Sequence, residues 1–204
     1  MNNADPIRAT LASHEAGKAL TENQIELLIR YYELVMKWNG AVHLTTMTDP
    51  AEFAAFNLLE TAVACTLLKD SVRRIWDLGS GMGVPGIPMA IIRSDVQVEL
   101  VEANRKKSIF LIEAVDSLKL GNVKARWTRF EDLPGAEAGD CVTSRAIEGF
   151  PKLLPGIMKF AKQADQVMFF GNSELAMELS TWGEVHSKAF PENSGRLILF
   201  HVER

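Results

Sequence analysis

An acid followed by glycines at alternate positions, Asp77-x-Gly79-x-Gly81-x-Gly83, is the stretch of this 204-residue chain whose residue types can hold a ligand. The apolar run Arg74-Ile75-Trp76 leads into it. The tail Val84-Pro85-Gly86-Ile87-Pro88 and then Met89-Ala90-Ile91-Ile92 follow it, so the order is strand, glycine turn, helix. Glycines permit positive φ and let a ligand approach the backbone with no Cβ in the way. The helix behind them offers unpaired N–H groups and a partial positive charge. Asp77 is placed to accept a hydrogen bond from an ammonium or an amide.

Further candidates fall at the ends of the other expected strands, where ligands bind in sheets built this way. Glu102 ends the second strand, and a carboxylate there can accept both hydroxyls of a ribose. Phe130 and Glu131 follow the third, an aromatic to pack on an adenine and an acid or backbone amide beside it to read the adenine edge. Arg145 follows the fourth, a cation for a carboxylate or a phosphate. Taken singly these are equally an exposed acid, a core aromatic and a surface cation; their convergence on one glycine corner favours a ligand. Arg105-Lys106-Lys107 is odder, because Asn104 should cap the helix they begin. Cations in a first turn oppose the helix dipole at about 0.3–1 kcal/mol each. With Arg126, Arg129 and Arg145 they would make a cationic rim suited to a polyanion such as RNA; the plainer reading is a solvated charge run.

The elements that must position these groups follow from periodicity and punctuation. Thr21 and Gln24 form a capping box, and Leu28, Ile29, Tyr32, Val35 and Met36 recur at helical spacing up to a stop at Asn39-Gly40. Asp49-Pro50 starts a second helix, with Phe53, Phe56, Leu59, Val63, Leu67 and Leu68 on one face. Strands are expected at 74–76, 96–101, 123–127, 140–144, 166–170, 185–190 and 197–202, the last two joined by a turn at 191–195. Helices are expected at 104–118, burying Ile109, Phe110, Ile112, Val115 and Leu118, and at 150–161 and 174–179. This alternation predicts an α/β fold, mostly parallel, with helices on both faces and a C-terminal antiparallel hairpin. Residues 1–70 would form an N-terminal helical cap packed on the same domain as 71–204.

Composition bounds the rest. At 47% hydrophobic and 24% charged, the chain can bury one good-sized core. A net charge of −4 argues against indiscriminate nucleic-acid binding but leaves room for a local basic patch. No apolar run reaches membrane-spanning length and the N-terminus lacks a signal pattern, so no membrane partner and a cytoplasmic location are expected. Cys65 and Cys141 read as buried free thiols, the histidines show no metal spacing, and no Ser-His-Asp elbow is present.

The Asp77–Gly83 pattern resembles motif I of the class I S-adenosylmethionine (AdoMet) methyltransferases. More closely, Trp38-Asn39-x-x-x-His43-Leu44-Thr45 and the whole stretch from Asp77 to Pro88 resemble the bacterial 16S ribosomal RNA guanine-N7 methyltransferase G family. Leu100-Val101-Glu102, Lys106-Lys107 ahead of Phe110-Leu111, and Thr143-Ser144-Arg145-Ala146 match further blocks in order. The resemblance implies a Rossmann-like class I methyltransferase fold, AdoMet as methyl donor, and 16S rRNA or the small ribosomal subunit as partner; from the residues themselves no metal is expected and nothing demands more than a monomer. It places cofactor contacts on Gly79, Val84, Phe130, Glu131 and Arg145, with Glu102 as the ribose acid where the family has Asp. It departs from the family at Asn57-Leu58-Leu59-Glu60-Thr61, where His-x-x-Asp-Ser is usual. It also departs at Phe170-Gly171, where Lys-Gly is usual, and at Ala164-Asp165, where a glycine-rich turn is usual. These bear on substrate positioning. The alternatives are an AdoMet methyltransferase acting on another substrate, or a non-catalytic nucleotide- or RNA-binding scaffold. An NAD-dependent dehydrogenase, using the shifted phase Gly81-x-Gly83-x-x-Gly86, is opposed by Pro85 within that phase.

Overall fold

A computed structural model describes residues 3–145, 150–190 and 197–203 of the chain. Five strands pair in parallel: β1 (Arg74–Leu78), β2 (Gln97–Glu102), β3 (Val123–Trp127), β4 (Asp140–Arg145) and β5 (Gln166–Gly171); β1, β4 and β5 are almost wholly buried and β2 mostly so, while β3, at the edge, is half-open. With β6 (Glu184–Ala189) and β7 (Leu197–Glu203) they form a seven-stranded sheet in the order β3-β2-β1-β4-β5-β7-β6. The expected hairpin is present; β7, antiparallel to both neighbours, inserts between β5 and β6. Its expected turn, 191–195, lies outside the described residues, as does Ala146 of the matched block around Arg145. The chain leaves β1 toward β2 on one side and reaches β4 on the other. That reversal of strand order opens a crevice at the carboxyl end of β1.

The helices cover both faces. On one lie α6 (Gly86–Ile92) and α7 (Arg105–Leu118), on the other α8 (Phe150–Phe160); α9 (Ser173–Leu179) leads to β6. The N-terminal helices are α1 (Ala4–Ala12), α2 (Glu15–Lys18), α3 (Glu22–Val42), α4 (Pro50–Phe53) and α5 (Glu60–Cys65). Their Ile7, Leu28, Val35 and Phe53 share one buried cluster with Ile75, Leu100 and Phe110 of the sheet side. Trp76, Leu78, Val101 and Val142 face the other way, onto Leu154 and Ile157 of α8.

The Thr21–Gln24 capping box forms as read. α3, however, runs through Asn39-Gly40 to Val42 and ends at His43 in the left-handed conformation, φ 53°. The Asn39 side chain explains the later stop. Its Oδ1 accepts the amides of Leu44 and Thr45 at 2.8 and 2.9 Å and its Nδ2 donates to the Thr45 carbonyl, so it folds the chain back after the helix instead of ending it.

Two face assignments need correction. Between α4 and α5 the helix widens into a π turn, Ala54–Leu59, which adds a residue to the turn and shifts the phase. Phe56 is therefore only half-buried, while Asn57, Glu60 and Thr61 are buried; the helix ends at Cys65, and Leu67, beyond it, is half-buried as well. In α7 the buried side is Ser108, Phe110, Leu111, Ala114 and Leu118, and Ile109 and Ile112 point outward at 47% exposure each. Cys65 and Cys141 are free and buried, and burial pushes the Cys65 thiol up to about 12. Among the described residues no helix is long and apolar enough to cross a membrane.

Candidate functional site

β1 delivers the chain into a turn in which Gly79, Gly81 and Gly83 hold φ of 69°, 57° and 92°. The amides of Gly79 and Ser80 donate to the Val101 carbonyl at 2.8 and 3.1 Å, stitching the turn onto β2. From the opposite side Tyr31, wholly buried in α3, donates its hydroxyl to the Met82 carbonyl at 2.6 Å. Tyr31 escaped the sequence reading, which put Tyr32 in the stripe. Its spacing of three from Leu28 and four from Val35, both buried, was the available signal.

A cavity of about 720 Å³ opens over this turn at the strand ends. Gly79, Gly81, Val84, Glu102, Phe130, Glu131 and Arg145 all line it, joined by Leu44 from the loop that Asn39 folds. The three glycines do different work. A Cβ on Gly81 would meet only the Gly79 carbonyl, at 3.8 Å, and so would enter the cavity. A Cβ on Gly83 would stand 2.5 Å from Ile87 Cδ1 and 3.1 Å from Leu111 Cδ2, so this glycine lets α6 and α7 close in behind the turn.

Asp77 also stands behind the turn, not on the cavity wall. It is 1% exposed; its Oδ2 accepts the Gly86 amide at 3.3 Å, and its Oδ1 has no hydrogen-bond partner among the described residues. The amide it was expected to bind is thus one of its own chain. Burial pushes its carboxyl from 3.8 up to about 7, opposed by Ser80, the Gly86 amide and the Arg145 charge and reinforced by Glu102. An acid raised on folding binds its proton more tightly in the native state. Its contribution to stability is therefore largest below its unfolded value and is lost as pH rises toward 7. Urea unfolding at pH 5.5 and pH 8.0 should show a loss of about 2 kcal/mol from this group, from roughly 1.5 pH units at 1.36 kcal/mol each. Asp77→Asn should remove that difference, and an unchanged pH dependence in the variant would refute the assignment.

Glu102 bridges the corner. Its Oε2 accepts the Gly81 amide at 2.8 Å and its Oε1 the Asn104 amide at 2.7 Å. Phe130, 7% exposed, meets Phe160 edge-on at 6.3 Å and rests against Gly156 of α8. Arg145 is held by the cap: Nη1 pairs with the buried Glu60 at 2.6 Å, Nη2 donates to the Phe56 carbonyl at 2.6 Å, and the guanidinium lies over Phe170 at 5.5 Å. The π turn and two of the three departures from the family pattern therefore meet at this one side chain.

The cationic rim is partly as expected. Lys107 and Arg129 line the cavity, and Arg105 and Lys106 are exposed beside it, with Asn104 capping α7 through the Lys106 and Lys107 amides. Arg126 does not belong to it. It lies on the α8 side of the sheet, clamped to Glu99 at 2.6 and 3.0 Å and over Trp76 at 5.7 Å. The β3–β4 link holds only a short 3-10 turn, Phe130–Asp132, and the ion pair there is partly buried, with Arg126 more open than Glu99. No cluster of histidine, cysteine or acid residues able to hold a metal is found among the described residues.

Comparison with known proteins adds to this geometry. The family model described as "GidB: rRNA small subunit methyltransferase G" matches residues 24–189. A ribosomal RNA small subunit methyltransferase G from Xanthomonas campestris pv. campestris (strain 8004) is 32% identical, covering 97% of this chain and 96% of its own. One of the same name from Stenotrophomonas maltophilia (strain K279a) is 39% identical over 142 residues, 70% of this chain and 66% of its own. Among solved structures, human methyltransferase 10 domain containing protein aligns with a TM-score of 0.59 at 14% identity, covering 85% of this chain and 96% of that one. M. jannaschii TYW2 in complex with AdoMet aligns at 0.50 and 16% identity, covering 71% and 73%. At such identities these structures establish the fold, a Rossmann-like methyltransferase sheet.

Proposed function

The chain belongs to the rRNA small subunit methyltransferase G family, and from that premise we propose that it transfers the methyl group of AdoMet to N7 of a guanine in 16S rRNA. The observation that carries this reading is the convergence of the family-matching blocks on one cavity of about 720 Å³ at the sheet's crossover point. That volume suits a cofactor-sized ligand. An ionised carboxylate has about four acceptor sites, so Glu102 keeps capacity for ribose hydroxyls beyond the two amides it binds. Its extra methylene relative to Asp fits a carboxylate that also reaches across to Gly81. Phe130 packs on the adenine, and the main chain at Glu131 reads its edge. Gly79, Gly81 and Val84 leave room for the methionine end, while Asp77 and Gly83 shape the turn from behind.

When bound, AdoMet supplies an electrophilic methyl group on a sulfonium sulfur. Guanine N7 presents an in-plane lone pair and carries no proton, so this chain needs no general base. Its residues contribute alignment of the nucleophile with the methyl group and exclusion of water. Arg145, fixed by Glu60 on the cavity wall, orients the incoming nucleotide. Lys107 and Arg129, with Arg105 and Lys106 outside, hold phosphates. The protein acts in the cytoplasm, as a monomer and without a metal.

Transfer of labelled methyl from AdoMet to small-subunit RNA tests the reading. Wild type should label the RNA, and Lys106→Glu with Lys107→Glu should lose about tenfold or more in RNA affinity. The salt slope should fall by about 1.4, from roughly 0.7 per phosphate contact on single strands. Unchanged RNA methylation in the double variant would remove the rim from the account; label absent from RNA would remove the substrate.

A further inference from the structure

Trp127 closes β3 with 59% of its surface exposed, the most open large aromatic among the described residues. It is nonetheless fixed. Its indole Nε1 donates to the Ala103 carbonyl at 3.2 Å, and the Arg105 guanidinium lies over its ring at 5.3 Å. Its neighbours Ala103, Thr128 and Arg129 all line the cavity, so the ring stands on the cavity's rim. It stands among the cations already assigned to phosphates. An open, pinned aromatic face bordered by Arg and Lys is the combination that binds unpaired nucleobases, by stacking on the ring and on guanidinium planes while cations track the backbone.

We propose that Trp127 is a stacking platform for an unpaired RNA base flanking the guanine that enters the cavity. The proposal rests on the rRNA reading above. A second copy of this chain is disfavoured as the occupant because it would bring Arg105, Lys106 and Arg129 against their own counterparts, whereas RNA brings phosphates.

The test compares wild type with Trp127→Ala, Trp127→Leu and Trp127→Tyr in steady-state methylation of small-subunit RNA, with AdoMet binding by calorimetry and sedimentation alongside. Base–aromatic stacking measured by alanine substitution corresponds to roughly 5- to 150-fold. Trp127→Ala and Trp127→Leu should raise KM for RNA within that range, with kcat and AdoMet affinity unchanged, and Trp127→Tyr should restore KM to near wild type. The leucine variant keeps apolar bulk without a flat ring, so a wild-type KM there overturns the proposal. Failure of tyrosine to rescue overturns it as well. A dimer that dissociates in Trp127→Ala with KM unchanged assigns the surface to a second copy. No methylation of RNA by wild type overturns the rRNA reading itself, and this proposal with it.

Discussion

Gly81→Val should abolish measurable AdoMet binding by calorimetry, with affinity falling at least about 100-fold, or roughly 3 kcal/mol. Two effects add. Gly81 holds φ 57°, where an L-residue costs about 1–2 kcal/mol and a β-branched one is a genuine outlier. The new Cβ and its methyls would also enter the cavity beside the Glu102 carboxylate, whose hydrogen bond to the Gly81 amide fixes the turn. Gly40→Ala, on α3 with open space at its Cβ, should bind as wild type does. Retention of affinity in Gly81→Val would mean that the glycine turn is not where the cofactor lies.

Removing the Glu60 carboxylate that pairs with Arg145 should have the largest effect on stability. Glu60 is fully buried and Arg145 nearly so, and breaking such a pair from one side typically costs about 3–5 kcal/mol because a charge is left buried without its counterion. Glu60→Gln should therefore lose about that much in urea unfolding. Combining it with Arg145→Met removes the stranded charge and should recover at least half of the loss. A cost below about 1 kcal/mol for Glu60→Gln would mean that the pair does not fasten the N-terminal helices to the end of β4.

The contact at Arg145 also bears on the departures from the family pattern. Glu60 keeps an acid where the family has Asp and uses it on Arg145, and Phe170 supplies an aromatic face to the same guanidinium where the family has Lys. Both substitutions are accommodated around one cation. That weakens the scaffold reading, in which they would mark a disabled site.

What was legible in the sequence was local. The glycine turn, the Asn104 cap, the capping box at Thr21 and the strands with their end residues follow from spacing and punctuation, and the cavity gathers most of the residues so identified. What was not legible depends on partners distant in the chain. Arg126 is excluded from the rim because β2 lies beside β3 and offers Glu99 within reach, which only sheet order decides. The π turn is tied to Arg145 of β4, some 85 positions from Glu60, so a helical period read from residues 50–68 could not contain it. Spacing announces that Asp77 and Gly83 shape a turn, but not which side of the turn faces the ligand. Helical spacing alone does not place Ile109 and Ile112; the face that packs carries Phe110, Leu111, Ala114 and Leu118, and at about 100° per residue the two isoleucines project away from it.

The most direct test of the central claim is the chemical identity and location of the methyl group after incubation of small-subunit rRNA with the wild-type protein and AdoMet, read by mass spectrometry of nucleosides and of nuclease fragments. The account predicts N7-methylguanosine at a single guanine of 16S rRNA, dependent on Gly81. A methyl group on another atom or base, or on protein or a small molecule with none in the RNA, would contradict it.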